Sequence, residues 1–169
     1  MKQTHFKLII SIFVALYSFY YLSSMDSWHF MDNVNLIIHE AGHFIFLIFG
    51  TFISIAGGSL MQIIIPALFA LSFFQTKQNF SGSIMLYWLA INFFSVGHYA
   101  EDAINMNLPL LGGDNVIHDW NYLLSTMGVL DKTQIIAYLI SGIGILCILV
   151  GLFFSYQAFL HEKNKIIVV

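Results

Sequence analysis

The sequence predicts an all-α integral membrane protein: one transmembrane helical domain over residues 1–169, with about five hydrophobic segments, one of them able to be re-entrant, and a short interfacial helix. Three observations predict it. Hydrophobic residues make up 59% of the chain and charged residues only 9%, against roughly 25% charged in an average soluble domain. Apolar runs recur at the length that matters, because about 20 residues at about 1.5 Å rise cross a hydrocarbon layer of about 30 Å. A single polar stretch, 101–132, interrupts them before the last run.

The first segment, 6–22, has Lys2 and Lys7 at its N-terminal end. It is long for the apolar part of a signal peptide, and Ser23, Ser24 and Met25 make a poor cleavage site, so it reads as an uncleaved span. The second runs over 34–49, with Asn33 marking the expected helix start. The third, 52–75, contains Pro66, and the fourth covers 83–99. The polar stretch carries Glu101, Asp102, Asp114, Asp119 and Asp131, with Pro109 and the turn-forming pair Gly112-Gly113; an amphipathic helix over 120–127 is expected at the interface. In the last segment, 133–160, Ala137, Gly144 and Gly151 fall seven apart with Ser141 beside them. Small residues on one stripe let helices approach closely, in the bundle or in a homo-oligomer.

Orientation follows the cationic residues in short loops. Five crossings would place Lys2, Lys7 and Lys132 on one side and Lys77, Lys163 and Lys165 on the other, a tie. A re-entrant segment would break it by bringing both Lys-bearing ends to the cytoplasmic side, and 49–59, with Gly50, Gly57 and Gly58, is where the backbone can turn back. All six cationic residues are Lys and the net charge is -3, which leaves no basic surface for nucleic acid. The lone Cys147 lies in an apolar run, so any metal must be held by His, Asp or Glu.

The chemistry is carried by His39-Glu40-Ala41-Gly42-His43, an H-E-x-x-H pattern inside an apolar segment. Residues i and i+4 share a helical face, so two imidazoles can grip one ion while the intervening carboxylate stands beside its water. Zn2+ lowers the pKa of such a water toward neutrality, and Glu40 can take its proton and pass it to a leaving amine. Ionisable residues are expensive within a membrane and tend to be functional there. Asn35 shares the stripe and can orient a ligand or water. The third ligand is open between His118 and Asp102, with Asp119 and Asp114 as further candidates. Asp119 is alternatively a residue that holds a ligand in register. Asn92, Ser95, Tyr99 and Asp102 form a polar stripe on the fourth segment, with His98 near the same face, and such a stripe should face the bundle interior. His5, His29 and His161 read as interfacial residues, and Trp28, Trp88 and Trp120 as a membrane-interface belt. Gly57-Gly58-Ser59 lacks a phosphate-binding Lys and suits close helix packing, whereas Gln62 and Pro66 can line the cavity near the site.

The run Asn33-Val34-Asn35-Leu36-Ile37-Ile38-His39-Glu40-Ala41-Gly42-His43, followed by Phe49-Gly50, Gly57-Gly58-Ser59-Leu60-x-Gln62 and Pro66, resembles small bacterial membrane proteins grouped with the site-2-protease-like zinc metallopeptidases. The likeness continues through Tyr99-x-x-Asp102-Ala103, Leu108-Pro109-Leu110 and His118-Asp119-Trp120, and covers 33–130. It implies zinc-dependent cleavage of membrane-associated polypeptides, with the two His as ligands and Glu40 as base. Site-2 proteases take a third ligand from the Asp of an N-x-x-P…D-G motif. Here Pro109 and Asp114 have a similar separation, but Asn105 and Asn107 are out of step and Asn115 replaces the Gly.

The leading expectation is therefore a membrane-embedded zinc metallohydrolase, acting on a membrane-associated polypeptide among the lipids of the bacterial cytoplasmic membrane. The first alternative is a non-catalytic zinc-binding membrane protein, such as a pseudoprotease, a chaperone-like factor or a transporter accessory. A di-iron lipid oxidase would need more ligands than His98 and His118 can add, and the sequence has no H-x-x-H-H box.

Overall fold

In chain order the computed structural model has α1 (Lys2–Ser23), α2 (Phe30–Phe46), a 3-10 turn (Leu47–Phe49), α3 (Thr51–Gln75), α4 (Asn79–Glu101), α5 (Asp119–Thr126), a second 3-10 turn (Leu130–Lys132) and α6 (Thr133–Ile167). It describes residues 2–111 and 116–167. Four of the helices, α1, α3, α4 and α6, are long and apolar enough to cross a membrane. The expected Gly112-Gly113 turn, Asp114 and Asn115 lie outside the described residues.

The bundle is built around α4, which packs against α6, α3 and α1. Tyr87, Ala90, Phe94 and Ala100 of α4 have no exposed surface, and Tyr87, Ala90, Ile91 and Phe94 join Ala15, Tyr21 and Ile148 in the apolar core. The outer faces carry exposed Phe6, Ile9 and Phe13 on α1, and Ile135, Leu139 and Phe153 on α6. Apolar groups point outward because hydrocarbon, unlike water, imposes no penalty on them. The small-residue stripe of α6 is covered by α4: a Cβ on Gly144 would lie 2.6 Å from the Phe94 ring, and one on Gly151 would lie 2.6 Å from the Tyr87 ring.

Contacts between helices fix their directions. Lys7 of α1 donates to Glu162 of α6 at 2.6 Å, and its ammonium lies 5.9 Å from the centre of the Phe80 ring at the start of α4. The start of α1, the α3–α4 connection and the end of α6 therefore share one end of the bundle. At the opposite end His98 and Asp26 stand 3.6 Å apart, and Gln134 donates to Glu101 at 2.6 Å. The chain thus leaves α1 and starts α3 at the same end. Consequently α2 does not carry the chain to the other end of the bundle: with the 3-10 turn it packs back on α3, and Gly50, at φ 91°, makes the reversal.

The structure corrects the start of α2. The helix begins at Phe30, three residues before Asn33, because the Asp32 carboxylate accepts the His29 backbone N–H at 2.6 Å and closes the first turn there. Its apolar run also does not continue as one α-helix to Phe49; the last turn tightens after Phe46. By contrast, α3 continues through the buried Pro66.

α2 and α3 meet at backbone distance. A Cβ on Gly42 would collide with the Gly57 carbonyl, and one on Gly57 would lie 2.7 Å from the Gly42 carbonyl. The next residue, Gly58, leaves the space that the His39 imidazole fills, since a Cβ there would be 2.5 Å from Nε2. The helix pair is thereby pressed together next to the two histidines.

Candidate metal centre

His39, His43 and Asp119 each offer one ligand atom, and these atoms lie within 4.8 Å of one another; among the described residues they form the group able to hold a metal ion. His39 Nε2 is 2.9 Å and His43 Nε2 is 3.2 Å from the same oxygen, Asp119 Oδ2. The pair on α2 follows from helical periodicity, whereas Asp119 arrives from the first turn of α5, 80 residues after His39.

The second nitrogen of each imidazole decides what this convergence means. His43 Nδ1 lies 2.9 Å from the Ser54 backbone carbonyl, which can only accept, so Nδ1 carries the proton. His39 Nδ1 lies 2.7 Å from Gln62 Oε1, whose amide is oriented with Nε2 toward Asn92 Oδ1 at 3.5 Å. With both Nδ1 atoms donating, each imidazole, when neutral, aims a lone pair from Nε2 at a carboxylate that also only accepts, whereas a protonated ring donates to it. Three acceptors facing one another repel unless positive charge stands among them. A tetrahedral ion with ligands at about 2.0–2.1 Å holds its donor atoms roughly 3.3 Å apart, close to the spacings seen here. The donor set fits zinc, for which two His and one carboxylate with an open fourth position make a catalytic arrangement.

The two residues weighed most heavily as third ligand, His118 and Asp102, are not in this group. His118 Nδ1 accepts the Asn121 backbone N–H at 3.2 Å and caps α5, leaving Nε2 to face Asp102 Oδ2 at 3.3 Å. Asp102, at the end of α4, accepts the backbone N–H groups of Asn107 and Leu108 at 2.9 and 2.8 Å. Asn121 also donates to the Ala103 carbonyl at 2.8 Å. These bonds tie the loop to α4 and set the start of α5. Tyr99 completes the placement by accepting the Asp119 backbone N–H through its hydroxyl at 3.1 Å. The α5 helix does not simply rest at the surface: it buries Leu123 and Leu124, and Trp120 donates to Ser59 on α3 at 3.1 Å.

Compared with known protein-family models, with curated proteins and with solved structures, the chain matches none.

Glu40 is exposed and lines a cavity beside the centre, together with His39, Tyr99, His98 and Asn35. Asn35 is buried, and its Oδ1 accepts the Trp88 indole N–H at 2.9 Å. The polar stripe on α4 faces inward, with Asn92 fully buried. Sequence reasoning missed Ser54, which contributes a backbone carbonyl that no residue type reveals; it placed Gln62 in the cavity wall, where it lies, without pairing it with His39. A polar side chain inside an apolar helix was the available signal for Gln62. Replacing it with Leu is expected to lower metal affinity about 10–100-fold, as is usual when the partner of a ligating His is removed, with helix content unchanged. Titration with a competing chelator checks this.

Proposed function

We propose that the protein is a membrane-embedded zinc-dependent metallohydrolase that cleaves membrane-associated polypeptides. The observation that carries this reading is the convergence of two imidazole Nε2 atoms and one carboxylate oxygen, with both Nδ1 atoms turned to acceptors. Three protein ligands leave a coordination position free, as catalytic zinc sites do and closed structural sites do not. Bound zinc would supply a Lewis acid that makes water a nucleophile near neutral pH. His39, His43 and Asp119 would hold it, while Gln62 and the Ser54 carbonyl would keep the imidazoles in the ligating tautomer. Glu40, next to His39 and on the cavity wall, would take the water proton and deliver it to the leaving amine. The test is the Glu40→Gln variant, which should retain zinc and lose turnover.

Localisation enters the same proposal. Lys2, Lys7, Lys77, Lys163 and Lys165 belong to the end of the bundle that holds the start of α1, the α3–α4 connection and the end of α6, and only Lys132 belongs to the other. Cationic loops remain on the cytoplasmic side. In a bacterial cytoplasmic membrane the centre would then open on the non-cytoplasmic face, where α5 and residues 102–111 lie. With Cys147 replaced by Ser, a membrane-impermeant maleimide should label Ser125→Cys in intact cells and Thr76→Cys only after lysis. Labelling in the reverse order would overturn this orientation.

A further inference from the structure

The cavity beside the centre has a volume of about 310 Å3, the size of a small ligand pocket. Its wall includes His39 and Glu40 from α2, Tyr99 from α4 and the apolar run 108–111. Asn35 stands in the same wall, one helical turn before His39, and is 1% exposed. Because an indole N–H only donates, the 2.9 Å contact from Trp88 fixes Asn35 Oδ1 as the acceptor and so fixes which way the amide faces. Its Nδ2 is left buried without an acceptor among the described residues. Buried donors are rarely unpaired, and an exception in a cavity wall points to a missing partner.

The chemistry of that partner is constrained by its surroundings. Among the described residues Asp26, Asp32 and Glu40 line the cavity, no Lys does, and the imidazoles of His39 and His98 are its only basic groups, which disfavours an anionic acceptor such as a carboxylate or phosphate. A neutral carbonyl oxygen satisfies the donor without meeting this negative charge, and the apolar wall accommodates aliphatic side chains. We infer that the cavity binds an uncharged stretch of polypeptide and that Asn35 Nδ2 donates to one of its backbone carbonyls. The ligand's role as substrate rests on the hydrolase reading above; its binding does not. Lipid esters offer the same carbonyl, but the phosphate of a phospholipid brings charge that the carboxylates oppose.

The experiment uses the full chain in detergent, with and without zinc, and the uncharged dipeptide amide acetyl-Leu-Leu-NH2 as probe. Binding is followed through the emission of Trp28, which belongs to the cavity wall. Wild type should show a saturable change. Asn35→Leu should bind about tenfold more weakly, the loss typical of one neutral hydrogen bond, and so should Asn35→Leu combined with Trp88→Phe, in which no indole N–H is orphaned. Trp88→Phe alone, which keeps Nδ2, should bind within a few-fold of wild type. Zinc stoichiometry reports whether each variant is folded; if Asn35→Leu is not, Asn35→Ala carries the same expectation. The inference is overturned if wild type shows no saturable change at millimolar dipeptide, or if the double variant binds as wild type does. It is also overturned if dihexanoylphosphatidylcholine binds with the Asn35 dependence that the dipeptide lacks. Asn35-dependent binding in a protein that takes up no zinc would leave this inference standing and remove the hydrolase reading.

Discussion

Replacing Asp119 with Ala is expected to abolish stoichiometric zinc binding, with affinity falling by more than about 100-fold. The carboxylate is the point on which both imidazoles converge, at 2.9 and 3.2 Å, and two His alone do not make a zinc site of ordinary affinity. The helix that carries Asp119 should persist, because its cap is His118 and its buried residues Leu123 and Leu124 are untouched. His118→Ala and Asp102→Ala provide the contrast. They loosen the loop that delivers Asp119 without removing a donor atom from the group, so each should weaken zinc by about 10–100-fold. Metal content of the purified variants, measured beside their circular dichroism, separates these outcomes. If His118→Ala strips the metal as completely as Asp119→Ala does, the ligand assignment fails.

The second large effect is expected at Glu40. Glu40→Gln keeps the size of the side chain and removes its capacity to accept a proton, so hydrolysis should fall by about 10²–10⁴-fold, the usual contribution of a general base. Zinc content should remain that of wild type, because Glu40 is exposed on the cavity side and does not belong to the ligand group. Release of fragments from β-casein and from single-span fusion polypeptides in detergent supplies the readout. Undiminished cleavage by Glu40→Gln would remove the assignment of Glu40 as base. A zinc-replete wild-type protein that cleaves no polypeptide in either set would instead favour a non-catalytic zinc protein.

Much of the fold was legible because its determinants are local. A run of apolar residues specifies a span by length alone, and Pro66 was placed inside the third helix, where it is found. The boundaries of α2 were read less well, since the contact that starts it, Asp32 to the His29 N–H, competes with Asn33 as a capping signal. The small residues of α6 announced a close approach. Only the packing showed that Phe94 and Tyr87 fill the stripe.

The candidate site divides along the same line. Two imidazoles four residues apart on a helix must share a face, since 3.6 residues make a turn, and the sequence alone placed His39 and His43 there with Glu40 between them. It also determined that any metal would be held without cysteine, and that α4 would turn a polar stripe inward. Which acidic or imidazole group closes the site was decided by tertiary structure. Asp102, His118 and Asp119 lie within eighteen residues of one another, at the end of α4 and the start of α5, and the choice among them depends on where Tyr99, Asn121 and the end of α4 pin the chain. The directions of the helices were decided in the same way: six Lys residues gave a tie until the packing put the end of α1 and the start of α3 at one end of the bundle. Side chains close in sequence meet by helical geometry, whereas those far apart meet only where packing and hydrogen bonds close the intervening chain.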